Sequence, residues 1–258
     1  MEEKLSAFSI KNDLKTRFIG KRVIYYPSLP STMTVAKKEA LAGAAEGTAI
    51  IAGEQTEGRG RLERRWVSPA GSISLSIVLY PQPSLLPSLI MMASLAVVRA
   101  IESIAGLKAQ IKWPNDILIN NKKVCGILVE SGSTGKNDTY AIIGIGINAN
   151  VKVESIGDVL VPATSLSGES GGEVSRLMLV RQLLIEMERL YPASNNSEDV
   201  YRGWMDSLVT IGKKVRAVSG KAIYEGVAES VNKDGGLVIR LQDGSTKTLT
   251  AGDVTLQD

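Results

Sequence analysis

Residues 109–119, AQIKWPNDILI, hold two short extended runs on either side of a proline, and two apolar runs follow, KVCGILVES (123–131) and YAIIGIGIN (140–148). Proline lacks the N–H of a ladder and turns the chain, while runs this apolar are strands buried within a sheet. Working outward, TAIIAGEQ (48–55) and SISLSIVLY (72–80) read as strands, the second with the period-two alternation of a half-buried one. LLPSLIMMASLAVVRAIESIAG (85–106) reads as a long helix, with Pro87 near its start and Gly106 at its end. Polar residues Ser88, Ser94, Arg99 and Glu102 break its apolar surface, which predicts a core helix and not a membrane span. GESGG (168–172) is expected to be a flexible joint, with helices over 175–192 and 198–208 after it.

From Ile211 onward the texture changes to short strands at close spacing, divided by Lys-Asp-Gly-Gly and Asp-Gly turns. That spacing predicts a small β-barrel of about fifty residues. The expected fold is therefore α+β, an α/β-type mixed sheet flanked by helices in a domain over residues 1–209, with a small barrel domain over 210–258.

The 258 residues contain no histidine, which excludes a Ser-His-Asp triad, a histidine-ligated zinc and a histidine general base. A net charge of +3 is too small for a general nucleic-acid coat, so anion binding must come from local clusters. The single cysteine, Cys125, rules out an internal disulfide framework and fits a reducing cytosol. The start, MEEKLSAFSIKNDLK, lacks the features of a signal peptide, so an intracellular, cytoplasmic protein with no membrane span is expected.

Four clusters carry chemistry. GRGRLERRW (58–66) sets four arginines and two glycines between predicted strands; guanidinium forks suit phosphates and carboxylates, and glycine permits close backbone approach. Alone, it also looks like a solvated or RNA-binding loop. IKWPND (111–116) brings Lys112, Asn115 and Asp116 to a strand end, Lys123 stands where an apolar strand begins, and GIGINAN (144–150) ends another in a turn bearing Asn148. Cys125 reads as a packing residue, since no histidine exists to activate it. No P-loop and no dinucleotide fingerprint is present, so a nucleotide would be held by another architecture.

In this order, with Ser31-Thr32-Met33 before them and PATSL (162–166) after them, these segments resemble the biotin protein ligases, over about residues 21–258. The resemblance implies an SH3-like barrel at the C-terminus and a two-step reaction. Biotin's carboxylate joins the α-phosphate of ATP, pyrophosphate leaves, and the biotinyl group passes to a lysine of a biotin carboxyl carrier protein or domain. By matched positions it implies biotin contacts from Ser31, Thr32, Met33, Gln55, Arg59, Gly60, Arg61, Lys123 and Gly126. ATP or adenylate contacts would come from Arg59, Arg61, Arg64, Trp66, Lys112, Asn115 and Asn148, and catalysis from Lys123, Arg61, Arg64 and Lys112. Asp116 would meet magnesium. The sequence departs from the family pattern at Met33, where asparagine is usual, and at Glu63, which replaces a loop glycine. A homodimer is expected. Only about thirty residues precede Ser31, too few for a winged helix, so no DNA binding is expected. The rival readings are lipoate ligase, which shares the fold, and a nucleic-acid-binding module.

Overall fold

The computed structural model describes residues 4–135, 139–156, 162–193 and 197–257. It opens with helix α1 (Ala7–Lys11), strand β1 (Val23–Leu29), helix α2 (Thr32–Leu41) and strands β2 (Ala49–Gln55) and β3 (Ile73–Leu79). Helix α3 (Ser88–Ala105) leads to β4 (Gln110–Lys112), β5 (Asp116–Ile119), β6 (Lys122–Ser133) and β7 (Thr139–Ile147). Helices α4 (Leu166–Ser170), α5 (Arg176–Ala193) and α6 (Ser197–Asp206) follow, then β8 (Lys214–Ser219), β9 (Ala222–Val231), β10 (Leu237–Leu241), β11 (Thr246–Leu249) and β12 (Asp253–Gln257).

The first seven strands form one sheet in the order β1-β2-β3-β7-β6-β5-β4, and only β1 and β2 pair in parallel. One face packs on α3 and α5 through Leu75, Ile77, Ile143 and Ile145; the other packs on α2 through Met33, Ala36, Ile50, Val78 and Ile142. Helix α3 has the length and apolarity of a membrane span, yet most of it is buried against the sheet and against α5 and α6. Its ends follow the sequence: Pro87 sits just before the first turn, and Gly106 closes the last with φ 65° and its N–H on the Glu102 carbonyl.

Two expectations change. Strand β3 is buried along its whole length, because it is central and covered on both faces; of its serines, Ser76 hydrogen-bonds Thr32 of α2 and Ser74 hydrogen-bonds Ser68 instead of meeting water. Residues 168–170, expected in a joint, belong to α4, which Ser165 caps at Gly168 N and Gly171 ends with φ 77°. Strand β1 and helices α1 and α2 had no counterpart in the sequence reading.

The last five strands make an antiparallel sheet in the order β11-β10-β9-β8-β12. It is tied to the first unit by Trp113, whose Nε1 donates to the Gly235 carbonyl at 2.8 Å, and whose backbone N–H donates to Thr210 Oγ1 at 2.9 Å. Tyr201 adds a hydroxyl bond to the Val231 carbonyl at 2.7 Å.

At the opposite side of the molecule, the Glu188 carboxylate on α5 accepts the backbone N–H groups of Arg17, Phe18 and Ile19 at 2.6, 2.8 and 3.0 Å while only 8% exposed. Burial opposes its charge, but the three N–H donors and Arg17 outweigh that and hold the carboxyl below its ordinary value. A carboxyl lowered in the folded state contributes stability above its unfolded value, about 4.3, and loses it as pH falls through the folded one. Glu188→Gln should therefore cost about 2 kcal/mol near pH 7, and the gap to wild type should narrow progressively below about pH 4.3; denaturant titrations at both pH values measure it.

Candidate active site

The stretch 58–66 folds into a tight hairpin. Trp66 N donates to the Gly58 carbonyl at 2.8 Å, Gly60 N to the Arg64 carbonyl at 2.7 Å, and Arg64 N to the Arg61 carbonyl at 3.1 Å. The backbone conformation that glycine favours falls not on a glycine but on Leu62, with φ 53°; Gly60 is extended. Gly58 is there for space: a Cβ would meet the Trp66 carbonyl at 2.3 Å. The Glu63 side chain, where the sequence departs from the family pattern, lies outside the described residues.

Each arginine of the hairpin's inner side finds an acceptor from a distant element. Arg59 makes a two-oxygen ion pair with Glu130 on β6, at 2.8 and 3.0 Å. Arg61 donates to Asn115 Oδ1 at 2.8 Å and to the Gly252 carbonyl at 3.1 Å, and Arg64 pairs with Asp253. Asn115 is itself oriented, since its Nδ2 donates to the Ile127 carbonyl at 2.8 Å.

Beneath the hairpin, β6 and β7 pair with Gly126 opposite Gly146, which leaves a strip without side chains. The Trp66 indole lies on that strip; a Cβ on Gly146 would stand 2.3 Å from its Nε1, and one on Gly126 3.1 Å from its ring. Lys123, at the start of β6, points Nζ 5.5 Å from the centroid of the same ring and bonds Asp116 Oδ1 at 2.5 Å.

At the other end, Ser31 and Thr32 open helix α2. Gln55 Oε1 accepts both the Thr32 backbone N–H at 2.8 Å and the Thr32 hydroxyl at 3.1 Å. Met33 is buried, and its Sδ would lie 2.5 Å from a Cβ on Gly144.

All of these surfaces enclose one cavity of about 740 Å³. Every residue expected at a site lines it: Ser31, Thr32, Met33, Gln55, Arg59, Gly60, Arg61, Arg64, Trp66, Lys112, Asn115, Asp116, Lys123, Gly126 and Asn148. Three lining residues carry buried polar atoms with no hydrogen-bond partner, Ser31 Oγ, Trp66 Nε1 and Asn148 Oδ1. Buried polar atoms are ordinarily satisfied, so these three are free to bond a molecule in the cavity. The Asn148 amide is held in place, with Nδ2 on the Thr164 carbonyl at 3.0 Å.

The charges of the cavity are unbalanced toward positive. Burial lowers both Arg61 and Lys112 from their ordinary values. Asp253 and Asp116 pull Arg61 back, and Asp116 is the larger restoring charge at Lys112, where Lys123 works against it. An anion arriving here would relieve that repulsion. Burial pushes the Cys125 thiol up, so it is inert, as expected. Among the described residues, no group of three or more carboxylates or cysteines could hold a metal by itself.

Sequence reasoning missed Asp253, with Val254 and Thr255, which form one wall of the cavity from the start of β12. Nothing local marks Asp253; its place follows from how the second sheet docks.

Known proteins resemble this chain over most of its length. The Biotin/lipoate A/B protein ligase family model matches residues 25–148, and the model of the biotin protein ligase C-terminal domain matches residues 210–256. The bifunctional ligase/repressor BirA of Bacillus spizizenii is 37% identical over 254 residues, spanning 96% of this chain and 78% of that protein. The biotin–[acetyl-CoA-carboxylase] ligase of Paracoccus denitrificans is 32% identical over 199 residues, spanning 74% and 83%. The structure of a biotin protein ligase from Aquifex aeolicus in complex with biotin and ATP superposes with a TM-score of 0.75 at 28% identity, covering 92% of this chain and 99% of that one. The chain belongs to the biotin protein ligase family.

Proposed function

We propose that this chain activates biotin with ATP and transfers the biotinyl group to a lysine of a biotin carboxyl carrier protein. The observation that carries the reading is the convergence of Arg61, Arg64, Lys112 and Lys123 on one cavity whose buried Ser31, Trp66 and Asn148 atoms lack partners. A carboxylate and a triphosphate repel one another, and a ring of fixed cations offsets that repulsion increasingly as charge develops in the transition state.

In the first step a carboxylate oxygen of biotin bonds the α-phosphorus, the bond from that phosphorus to the bridging oxygen breaks, and pyrophosphate leaves with the electron pair. In the second the carrier's lysine amine attacks the acyl carbon, AMP leaves, and the amine loses its proton. Lys123 is assigned to the junction of carboxylate and α-phosphate, because its Nζ projects over the glycine strip and its partner Asp116 can be exchanged for the ligand's oxygens. Arg61, Arg64 and Lys112 take the remaining phosphate charge. Gln55 and Ser31 answer the ureido ring, Thr32 supports Gln55, Met33 supplies apolar wall, and Asn148 meets the adenine.

Magnesium fits as a triphosphate-borne ion, since such ions are commonly held by one or two carboxylates and the phosphates. Asp116 and Asp253 are the carboxylates that line the cavity. The ion would supply charge neutralisation. The carrier as acceptor, the cytoplasmic location and a homodimer rest on the family resemblance and belong to the same proposal; the ligase activity of the ligase/repressor relative is the part carried over.

The hairpin serves as a lid. Its arginines rest on Asn115, Gly252, Asp253 and Glu130 until a ligand offers better acceptors, and closure over an acyl-adenylate keeps out the water that would hydrolyse it.

Three outcomes check the proposal. Exchange of labelled pyrophosphate into ATP should depend on biotin, with none when biotin is omitted; exchange supported by lipoate instead would overturn the substrate assignment. Lys123→Ala should lower biotin-dependent exchange by about two to three orders of magnitude with an unchanged melting temperature. Asp253→Asn should raise the rate of tryptic cleavage within residues 59–65 by about two- to fivefold, the opening expected from losing one partly exposed ion pair.

A further inference from the structure

The floor of the polar end contains a hydrogen-bond relay whose direction is forced. The Thr32 backbone N–H lies 2.8 Å from the outer atom of the Gln55 amide, and an N–H needs an acceptor, so that atom is the oxygen, Oε1. A carbonyl oxygen cannot donate, so the Thr32 hydroxyl, 3.1 Å away, must spend its only proton on Oε1. The Thr32 oxygen can then only accept, and Ser76 Oγ donates to it at 2.8 Å. The chain of donation runs one way, from Ser76 to Thr32 to Gln55.

Ser76 lies on β3 beneath the cavity and not in its lining. It is fully buried, pairs across the strands with Ile50 and Gly144, and Gly144 is covered by Met33. No apolar packing calls for a hydroxyl there, and burying one has a cost unless it is bonded. Its bond polarises the Thr32 hydroxyl and fixes the rotamer in which that hydroxyl faces Gln55. With Oε1 held from two sides, the Gln55 Nε2 is turned away from the relay and offers its two N–H groups as donors.

We infer that Ser76 is a positioning residue for biotin recognition: it touches no ligand, and it sets the orientation of the Gln55 amide through Thr32. The inference rests on the functional reading above. It predicts an effect confined to biotin, because the phosphate-facing cations lie outside the relay.

The test measures biotin affinity by calorimetry, and KM for biotin, KM for ATP and kcat from pyrophosphate exchange, in Ser76→Ala, Thr32→Val and the double variant. Ser76→Ala should weaken biotin about three- to tenfold and raise its KM alike, while kcat and the KM for ATP stay unchanged. In the Thr32→Val background the same change should add nothing, since the link to Gln55 is already cut. Ser76→Cys, nearly isosteric with a weak S–H donor, should fall between serine and alanine, and serves in place of alanine should that variant fold poorly. An unchanged biotin affinity in a folded Ser76 variant, equal losses for biotin and ATP, or multiplying effects of the two substitutions would each overturn the inference alone. A wild-type chain that binds no biotin would overturn the functional proposal and the inference with it.

Discussion

The pairing of β6 with β7 is the constraint on which the site depends. Their register sets Gly126 opposite Gly146, and two glycines side by side leave backbone bare in the middle of a sheet. A flat aromatic ring can lie directly on such a strip, and Trp66 does so. On its other side β6 pairs with β5, with Lys123 opposite Leu118, and this places the Lys123 ammonium over that ring and within reach of Asp116 on β5. Any residue with a Cβ at position 146 would push the indole off, and with it the hairpin that Trp66 ends. The hairpin's seat and the bare strip thus follow from the β6–β7 ladder, and the position of the lysine from the β5–β6 ladder beside it.

Electrostatics explains how the cavity accommodates its cations. Buried or half-buried cations close together destabilise a fold unless each has an acceptor. Here the acceptors are supplied at intervals: Glu130 for Arg59, Asn115 and Gly252 for Arg61, Asp253 for Arg64 and Asp116 for Lys123. These contacts are partly exposed, and an anion with several oxygens can replace them without leaving the cations unpaired. No histidine takes part, so none of these charges belongs to a side-chain type that ordinarily titrates near neutrality.

The second unit is part of the site and not only an attachment to it. Trp113, inside the turn that carries Lys112, Asn115 and Asp116, is fully buried and bonded to Thr210 and Gly235. The docking of the five-stranded sheet therefore sets the position of that turn, and in the same movement brings Asp253 to Arg64. Hinging between the units would move that turn and the arginine hairpin's partner together.

The sequence by itself determined the kind of protein. Motif order, the absence of histidine and the concentration of arginine and lysine at strand ends pointed to one ligand chemistry, because residue types and short spacings are written locally. It also placed the central strands and the long helix, whose apolar runs are long enough to read. Only the tertiary structure decided that β3 is buried on both faces, that residues 168–170 are helical, that Leu62 and not a glycine takes the left-handed turn, and that Asp253 faces the arginine hairpin. The same holds for Ser76, whose role depends on meeting Thr32 across 44 positions of the chain. Such partners share no spacing or periodicity; they are selected by which surfaces the packing of two sheets and their helices brings into contact.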